Sequence, residues 1–272
     1  MLRLVGVLAV FASCGRFGFD GGRSDATSIG DGTSIGDGTS IGDGSGSSDN
    51  DALLGHDEDG DGIADTSDFC PHIPNAANTD GDGDGVGDVC DQVPGTASES
   101  WVLFAPMLGD EPALAHGTEW TIQDDYWDYT DSTNPAQLIR TGTLANVDVW
   151  VGFDVTTVGT GGVQAAIVLR NGGSIPYNYA ELYDNGSGAR ISILQFDGAN
   201  YNVESTTPLG AAFPLGPGVL HLQARPASEF ILRYGALTTT APTPDHGNVM
   251  FTLLGFGNHS GRVRYVAIVQ SQ

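Results

Sequence analysis

Short runs in which apolar and polar residues alternate fill the C-terminal part of the chain. The clearest run, 147–155, alternates strictly, which predicts a β-strand with one buried face. Clusters of Gly, Asn, Pro and Asp separate it from further β-branched or apolar runs at 101–104, 165–170, 189–196, 218–225, 230–234, 249–254 and 262–270. Many short strands in one domain predict an all-β sandwich or barrel over residues 98–272.

Two segments upstream carry a different pattern, in which Asp recurs at alternate positions. Residues 57–68 and 80–91 each have Asp at loop positions 1, 3, 5, 9 and 12, Gly at position 6 and an apolar residue at position 7. Carboxylates in this register, together with the backbone carbonyl of position 7, are the oxygen ligands that Ca²⁺ takes. Neither loop contains Lys or Arg, so a divalent cation is needed to offset the repulsion between the acids. The expected calcium ligands are Asp57, Asp59, Asp61, Ile63, Asp65 and Asp68 in the first loop and Asp80, Asp82, Asp84, Val86, Asp88 and Asp91 in the second.

The sequence around the loops indicates which class of calcium site they form. Two prolines close behind the first loop exclude the helix that would follow it in an EF-hand. The segment 57–91 instead resembles the thrombospondin type 3 repeat. The residues that carry the resemblance are the paired D-x-D-x-D-G-x-x-D loops, Cys70-Pro71, Asn75, Asn78 and Cys90-Asp91. Glu58 and Ala64 depart from the pattern at positions between ligands. The resemblance implies a calcium-wrapped segment, taken as residues 56–95, with almost no regular secondary structure.

Two of the three cysteines lie within this segment. Members of the thrombospondin type 3 family pair the cysteines that correspond to Cys70 and Cys90, so the resemblance implies a disulfide between them. Such a bond closes a loop that has no hydrophobic core of its own and contributes on the order of 3 kcal/mol. The alternative, two free thiols in a cytosolic loop, is disfavoured by the export signal at the start of the chain.

An apolar run at residues 4–12, too short to span a bilayer as a permanent helix, follows a positively charged start. Small residues then lead to Cys14. The segment resembles a bacterial lipoprotein signal peptide, residues 1–13, with Phe11 where Leu is usual, and the resemblance implies lipidation of Cys14. Gly15 after the cysteine implies an outer-membrane lipoprotein of the bacterial cell envelope, surface-exposed or periplasm-facing. The alternative is an ordinary secretory signal and a secreted protein, in which Cys14 is incidental.

Residues 14–55 predict a disordered linker. The hexapeptide TSIGDG occurs three times between residues 27 and 44, and Ser, Gly and Asp dominate the remainder. Each copy offers one carboxylate and one Ile, which is too little apolar surface for a stable solenoid. A flexible spacer of this composition would hold the folded part clear of a membrane surface.

The C-terminal domain resembles a known class of β-sandwich. The run 120–127 and the strand 137–140 resemble the opening of concanavalin-like (laminin-G-like) jelly rolls, and 262–269 resembles their closing strand. The resemblance implies a jelly-roll sandwich. Because residues 93–95 form a short, restricted joint, we expect the calcium segment to be a separate stalk beneath a sandwich that needs no ion.

Charge excludes one class of partner. The formal net charge is −24, and the ten basic residues are all Arg. Nucleic acids require a positive surface, so DNA and RNA are excluded as partners. Anionic headgroups would also repel the chain, so membrane attachment depends on the lipid anchor.

The sequence gives no support for catalysis. The paired-acid pattern of jelly-roll glycosidases, a G-x-S-x-G nucleophile elbow and the histidine spacings of zinc sites are all absent from it. Aromatic rings beside amides are typical of carbohydrate recognition, so Tyr177, Tyr179 and Tyr183 are candidate ligand-binding residues. Trp127 is better explained as a core residue.

These features together predict a non-enzymatic, calcium-binding, lipid-anchored surface protein. Its sandwich would act as a recognition or adhesion module for a glycan or a protein. The alternative is a purely structural envelope lipoprotein stiffened by calcium, and a carbohydrate-active enzyme is the third hypothesis.

Overall fold

The computed structural model describes residues 55–130, 136–144, 146–158, 162–170, 177–225, 229–242, 247–256 and 260–272. The predicted signal peptide, Cys14 and the linker up to residue 54 lie outside this range. The described residues contain no helix that is long and apolar enough to cross a membrane.

The described part of the chain is all-β, with one 3₁₀ turn at Asp65–Ser67 inside the first acidic loop. The strands are β1 (Glu99–Ala105), β2 (Ala115–His116), β3 (Trp120–Ile122), β4 (Trp127–Thr130), β5 (Ala136–Leu144), β6 (Val147–Thr157), β7 (Gly162–Arg170), β8 (Tyr177–Asp184), β9 (Arg190–Phe196), β10 (Tyr201–Pro208), β11 (Gly216–Arg225), β12 (Glu229–Tyr234), β13 (Leu237–Ala241), β14 (Gly247–Phe256) and β15 (Ser260–Ser271).

Two antiparallel sheets form a sandwich. One has eight strands in the order β13-β12-β11-β6-β15-β4-β3, with β1 also paired to β15, and the other has seven in the order β10-β9-β8-β7-β14-β5-β2. The first and last strands of the domain are neighbours, with Glu99 opposite Ser271 and Ala105 opposite Val266. This closure ties the point where the acidic segment enters the sandwich to the C-terminal strand.

The main core lies between the sheets, and alternation along each strand sets which residues enter it. On β6, Val149, Val151 and Phe153 point into this core. Trp150, on the opposite face of the same strand, is also buried, at 4% exposure, in a second cluster. Strand β6 is therefore covered on both faces, which a sandwich sheet does not require by itself.

The predicted all-β fold is confirmed, and the strong apolar runs coincide with β1, β6, β7, β9, β11, β12, β14 and β15. Four strands were not predicted, one of them the two-residue β2. Strand β8 contains the tyrosines assigned to ligand binding, and β10 and β13 are rich in Thr and Ser. Strand β10 is mostly exposed, so its sequence lacks the apolar alternation of a half-buried strand.

Candidate metal centre

The two acidic loops adopt one hydrogen-bond register. In each, the Asp at position 1 accepts hydrogen bonds from the backbone N–H groups of positions 4 and 6, at 2.9 and 2.9 Å in the first loop and 2.7 and 3.0 Å in the second. The N–H of position 5 donates to the Asp at position 3, and the N–H of position 7 to the Asp at position 5. The N–H of position 2 donates to the Asp at position 9. A shared network of this extent means that both loops have the same path.

Glycines at positions 4 and 6 make this path possible. Gly60 and Gly62 have φ angles of 77° and 95°, and the matching Gly83 and Gly85 have φ angles of 81° and 93°. A side chain at any of the four would be strained in this region. The sequence pattern had drawn attention only to position 6.

The carboxylates at positions 1, 3 and 5 converge in each loop. One oxygen from each member of the triad lies within 4.8 Å of the others, for Asp57, Asp59 and Asp61 and for Asp80, Asp82 and Asp84. Burial, followed by the charges of neighbouring acids, raises the pKa of Asp59 to about 6. Its Oδ2 atom and that of Asp68 are buried without a hydrogen-bond partner. Hard oxygen donors, crowded and partly unsatisfied, fit Ca²⁺.

Position 9 closes the loop. Asp65 accepts hydrogen bonds from the backbone N–H of Glu58 at 2.9 Å and from Nδ1 of His56 at 2.7 Å. In the second loop, Asp88 accepts from Gly81, and a hydrogen bond with the Thr79 side chain contributes to lowering its pKa. In this structure Asp65 and Asp88, at position 9, hold the two ends of their loops together through hydrogen bonds. That they also ligate calcium stays a prediction.

Position 12 of the second loop reaches the sandwich. One oxygen each of Asp84, Asp91 and Glu99 lies within 4.8 Å of the other two. Burial, followed by the neighbouring Glu99 and Asp84 charges, raises the pKa of Asp91 to about 6. Glu99 is 4% exposed on β1 and accepts a hydrogen bond from the Ser271 hydroxyl at 2.7 Å. The sequence alone does not indicate Glu99 as part of this group, because only the folded chain brings β1 to the loop.

The predicted disulfide between Cys70 and Cys90 forms, and it is buried against the sandwich. Both cysteines and Val86 belong to one apolar cluster, the docking cluster, that includes residues of the eight-stranded sheet. Its buried members are Cys70, Val86, Cys90, Trp150, Tyr265, Ala267 and Val269. The acidic segment has no helix or sheet with which to build a core, so the outer face of β6 and β15 supplies one.

His72 lies in the same interface. Its ring is 4.5 Å from the Trp150 ring, 5.7 Å from Trp101 and 5.8 Å from Tyr265, measured between centroids. It is 6% exposed, and neither ring nitrogen has a hydrogen-bond partner. Burial, together with the nearby His221, lowers the pKa of His72 to about 3. The neutral imidazole therefore packs as an aromatic ring.

Backbone hydrogen bonds reinforce the contact. Oδ2 of Asp84 accepts the N–H groups of Ser98 and Glu99 at 3.1 and 2.8 Å, and Oδ2 of Asp82 accepts the N–H of Gly95 at 3.0 Å. Two expected calcium ligands thus bind the joint and the first strand directly. The prediction of a separate stalk is wrong, because the apolar residues of the segment lack any core except the one that the sheet provides.

The candidate tyrosines lie on the outer face of the seven-stranded sheet. Tyr177 and Tyr179 are 8% and 6% exposed, and their rings lie 4.9 Å from Phe196 and 5.5 Å from Tyr201, respectively. The ring of Tyr201, which is 44% exposed, is the accessible member of this aromatic cluster. Tyr177 and Tyr179 therefore support the cluster from within, and sequence reasoning missed Tyr201 because the polar β10 was not recognised as a strand.

Polar groups flank these rings. Glu181 follows Tyr179 on the same face, and it accepts a hydrogen bond from the Gln164 amide. Burial raises the pKa of Glu181 to about 7. The Arg190 guanidinium lies 4.6 Å from the centre of the half-buried Tyr183 ring. Aromatic, amide, acid and guanidinium groups thus share one face of the sheet.

Comparison with known proteins bears on both parts of the chain. Residues 36–78 match the family model for the thrombospondin type 3 repeat. The match begins in the linker and ends before the second loop. The second loop is described as a copy of the first because the two share one hydrogen-bond register. No curated protein sequence matches the chain.

Solved structures match the sandwich. The CBM2 module of the evolved Dit of Lactobacillus casei BL23 phage J-1 has 9% identity and a TM-score of 0.52, over 64% of this chain and 96% of that chain. A structure from work on endo-acting O-glycanases of the human gut microbiota has 12% identity and a TM-score of 0.51, over 64% of this chain and 100% of that chain. At such low identity the likeness shows the fold alone. The chain therefore joins a segment that matches the thrombospondin type 3 repeat to a β-sandwich with a concanavalin-like, jelly-roll fold.

Proposed function

We propose that this protein binds two calcium ions in its acidic loops and that the sandwich is a non-catalytic recognition module for carbohydrate. The observation that carries the calcium assignment is the identical hydrogen-bond register of the two loops, with three carboxylates converging in each. All the expected side-chain ligands are hard oxygens, and the glycines at positions 4 and 6 permit the required turns.

Calcium titration of the full chain by isothermal titration calorimetry tests this assignment. We expect two ions to bind, with dissociation constants of about 10⁻⁴ to 10⁻³ M, the range of extracellular calcium modules. Asp59→Asn and Asp82→Asn each remove one charge from position 3 and keep an oxygen that can accept the hydrogen bond from position 5. Each variant should lose or weaken one site, whereas Asp197→Asn, in an exposed turn far along the chain, should lose none. Unchanged calcium uptake in the double variant Asp59→Asn/Asp82→Asn would refute the assignment.

Carbohydrate is the ligand class that best fits the outer face of the seven-stranded sheet. The supporting observation is the aromatic cluster with an exposed Tyr201 ring, on a sheet face that also carries Glu181 and, toward the other end of the strands, Arg190. Sugar rings stack on aromatic faces, and their hydroxyls require such polar partners. A glycan-array screen of calcium-saturated protein should find binding that Tyr201→Ala weakens and that Val203→Ala, a 60% exposed neighbour on the same strand, leaves unchanged. Equal binding by both variants would exclude this face.

Two other roles remain as alternatives with distinct outcomes. A purely structural envelope protein would bind calcium and no glycan. A carbohydrate-active enzyme would release sugar from a bound glycan, and Glu181, with its raised pKa, would then be the first residue to replace.

We also propose that Cys14 carries lipid and anchors the protein in the bacterial outer membrane. The supporting observation is the short apolar run that ends in small residues before the cysteine. Mass spectrometry of the native protein should find an acylated N-terminal Cys14. Recovery of a chain that retains residues 1–13, or one in which Cys14 is unmodified, would contradict the anchor.

A further inference from the structure

A third group of ligand-type side chains lies outside the two carboxylate triads. His56, Glu58 and Asp125 each offer one atom within 4.8 Å of the others. Nε2 of His56 is 3.0 Å from Oδ1 of Asp125 and 3.9 Å from Oε2 of Glu58. His56 and Glu58 belong to the first acidic loop, whereas Asp125 comes from the turn between β3 and β4 of the sandwich.

The second loop forms the same hydrogen-bond register without such a group. At the places equivalent to His56 and Glu58 it has Thr79 and Gly81, yet its hydrogen-bond register is the same. The bracing function of position 9 needs only a side chain that can donate a hydrogen bond, and the Thr79 side chain hydrogen-bonds to Asp88. The imidazole and the extra carboxylate of the first loop are therefore surplus to its calcium register.

The histidine is held in the orientation that metal sites use. Its Nδ1 donates to Oδ2 of Asp65 at 2.7 Å, and the Asp65 side chain is only 2% exposed. A carboxylate behind the ring holds a proton on Nδ1, so a cation that displaces the Nε2 proton, which now points at Oδ1 of Asp125 at 3.0 Å, would meet the Nε2 lone pair. That atom faces Glu58 and Asp125.

The Glu58 carboxylate supplies a second, independent indication. Its side chain is 6% exposed, its Oε2 lies 3.9 Å from Nε2 of His56, and one of its oxygens lies within 4.8 Å of an Asp125 oxygen. The Arg264 charge also attracts it, while Nε of that arginine lies 3.9 Å from Asp154. A largely buried carboxylate this close to a second carboxylate is stabilised by a cation placed between the two.

The separations suit a small divalent ion. Ligand atoms about 2.0–2.2 Å from a tetrahedral Zn²⁺ ion are roughly 3.3–3.6 Å from one another. The observed 3.0 and 3.9 Å lie on either side of this range, and the Glu58 and Asp125 oxygens are within 4.8 Å of each other, so shifts of roughly 1 Å would bring the three atoms to these separations. Mixed imidazole and carboxylate donors favour a transition metal over Ca²⁺, and three protein ligands leave a fourth position for water or another group.

We propose that His56, Glu58 and Asp125 form a divalent transition-metal site of the Zn²⁺ class that cross-links the first acidic loop to the sandwich. This site is additional to the two calcium ions of the proposed function and uses none of the six carboxylates of the two triads. No local histidine spacing could have indicated this site, because His56 and Asp125 are 69 residues apart and become neighbours only in the folded chain.

Titration of the calcium-saturated full chain with Zn²⁺, and with Co²⁺ as a spectroscopic probe, tests the site. Saturating calcium keeps the probe metals out of the two loops. We expect one tightly bound Zn²⁺ and a cobalt d–d absorption band that Zn²⁺ displaces. Asp125 lies outside both loops, and its carboxylate is within reach of His56 and Glu58, neither of which belongs to a calcium triad. Asp125→Ala should therefore weaken Zn²⁺ binding more than about tenfold without altering calcium uptake. His56→Ala should weaken Zn²⁺ binding as strongly and, because His56 also braces Asp65, should lower the calcium affinity of the first loop as well.

His116→Ala is the matched control. His116 also pairs with a carboxylate, Asp110 at 3.4 Å, but has no third ligand in the described structure. It should bind Zn²⁺ as the unchanged protein does. Calcium calorimetry on each variant separates loss of this site from loss of the calcium loops. Absence of stoichiometric Zn²⁺ binding, or Asp125→Ala and His56→Ala variants that bind as tightly as His116→Ala, would show that the three groups form an ion-pair cluster only and overturn the proposal.

Discussion

Replacement of Val86 by Ala tests whether the acidic segment is energetically part of the sandwich. Val86 is the apolar residue at position 7 of the second loop, is 0% exposed, and belongs to the docking cluster with Trp150 and Tyr265. The change removes two buried methyl groups. At about 0.8 kcal/mol per group, with an added cost for the cavity, it should lower the free energy of unfolding by about 2 kcal/mol.

The same loop offers a matched control. Val89, three residues further on, is 52% exposed, so Val89→Ala should change the free energy of unfolding by less than about 0.5 kcal/mol. Both substitutions remove the same atoms and leave every loop carboxylate in place. The difference between them therefore reports burial against the sheet.

Urea unfolding of calcium-saturated protein, followed by tryptophan fluorescence and by far-ultraviolet circular dichroism, measures the effect. We expect one transition that both probes report, shifted in Val86→Ala and unchanged in Val89→Ala, with a loss in melting temperature of roughly 4–8 °C. If Val86→Ala lowers the free energy of unfolding no more than Val89→Ala does, the acidic segment does not pack on the eight-stranded sheet as described. If it shifts only an early transition and leaves the main one unchanged, the segment and the sandwich unfold separately.

Three further changes follow from buried groups. Replacing Cys70 and Cys90 by Ser should lower the free energy of unfolding by about 3 kcal/mol, because their bond closes a loop with a sequence separation of 20. Unfolding in saturating calcium measures the loss, and a reductant should have no further effect on the variant. Burial lowers the pKa of His72 to about 3, so the free energy of unfolding falls as the pH drops from about 6.5 toward 3. The unchanged protein should lose about 2 kcal/mol more between pH 7.5 and 5 than His72→Phe, which has no group to protonate there. Equal losses in both proteins would contradict the buried neutral ring. Burial raises the pKa of Glu181 to about 7, so its stabilisation is present below about pH 4.5 and is lost as the pH rises through 7. Glu181→Gln should therefore raise the free energy of unfolding by about 3 kcal/mol over the unchanged chain at pH 8.5 and by no more than about 1 kcal/mol at pH 5, and an increase independent of pH would contradict the shift.

The sequence was most informative where the determinants are local. The ligand register of each loop lies within twelve residues, and the glycines and alternating acids predict it without knowledge of the fold. The strands with strict alternation could also be predicted, because burial on one face repeats every second residue. The polar edge strand β10 could not be predicted, because its sequence lacks that repeat.

Docking of the acidic segment could not be deduced in the same way. It depends on Trp150 and Tyr265, which are 115 residues apart and meet on the outer face of neighbouring strands. Trp150 did carry a signal, since it stands at a position of β6 where the alternation calls for a polar residue. The segment that covers this face is disulfide-bonded and lies about 60 residues upstream. Hydrophobic periodicity describes one strand at a time, so it cannot show which distant segment packs on that strand.

Calorimetric unfolding of the full chain with and without calcium measures whether the acidic loops and the sandwich are one energetic unit. With dissociation constants of about 10⁻⁴ to 10⁻³ M, roughly 10 mM free Ca²⁺ stabilises a folded protein by about 1.4–2.7 kcal/mol per site, and so by about 3–5 kcal/mol for two. Because Asp84 binds the backbone of Ser98 and Glu99, and because the docking cluster joins the segment to β6 and β15, this stabilisation should extend to the sandwich. We predict that its transition lies about 10 °C higher in calcium than in chelator. A sandwich transition at the same temperature in both conditions would contradict the account.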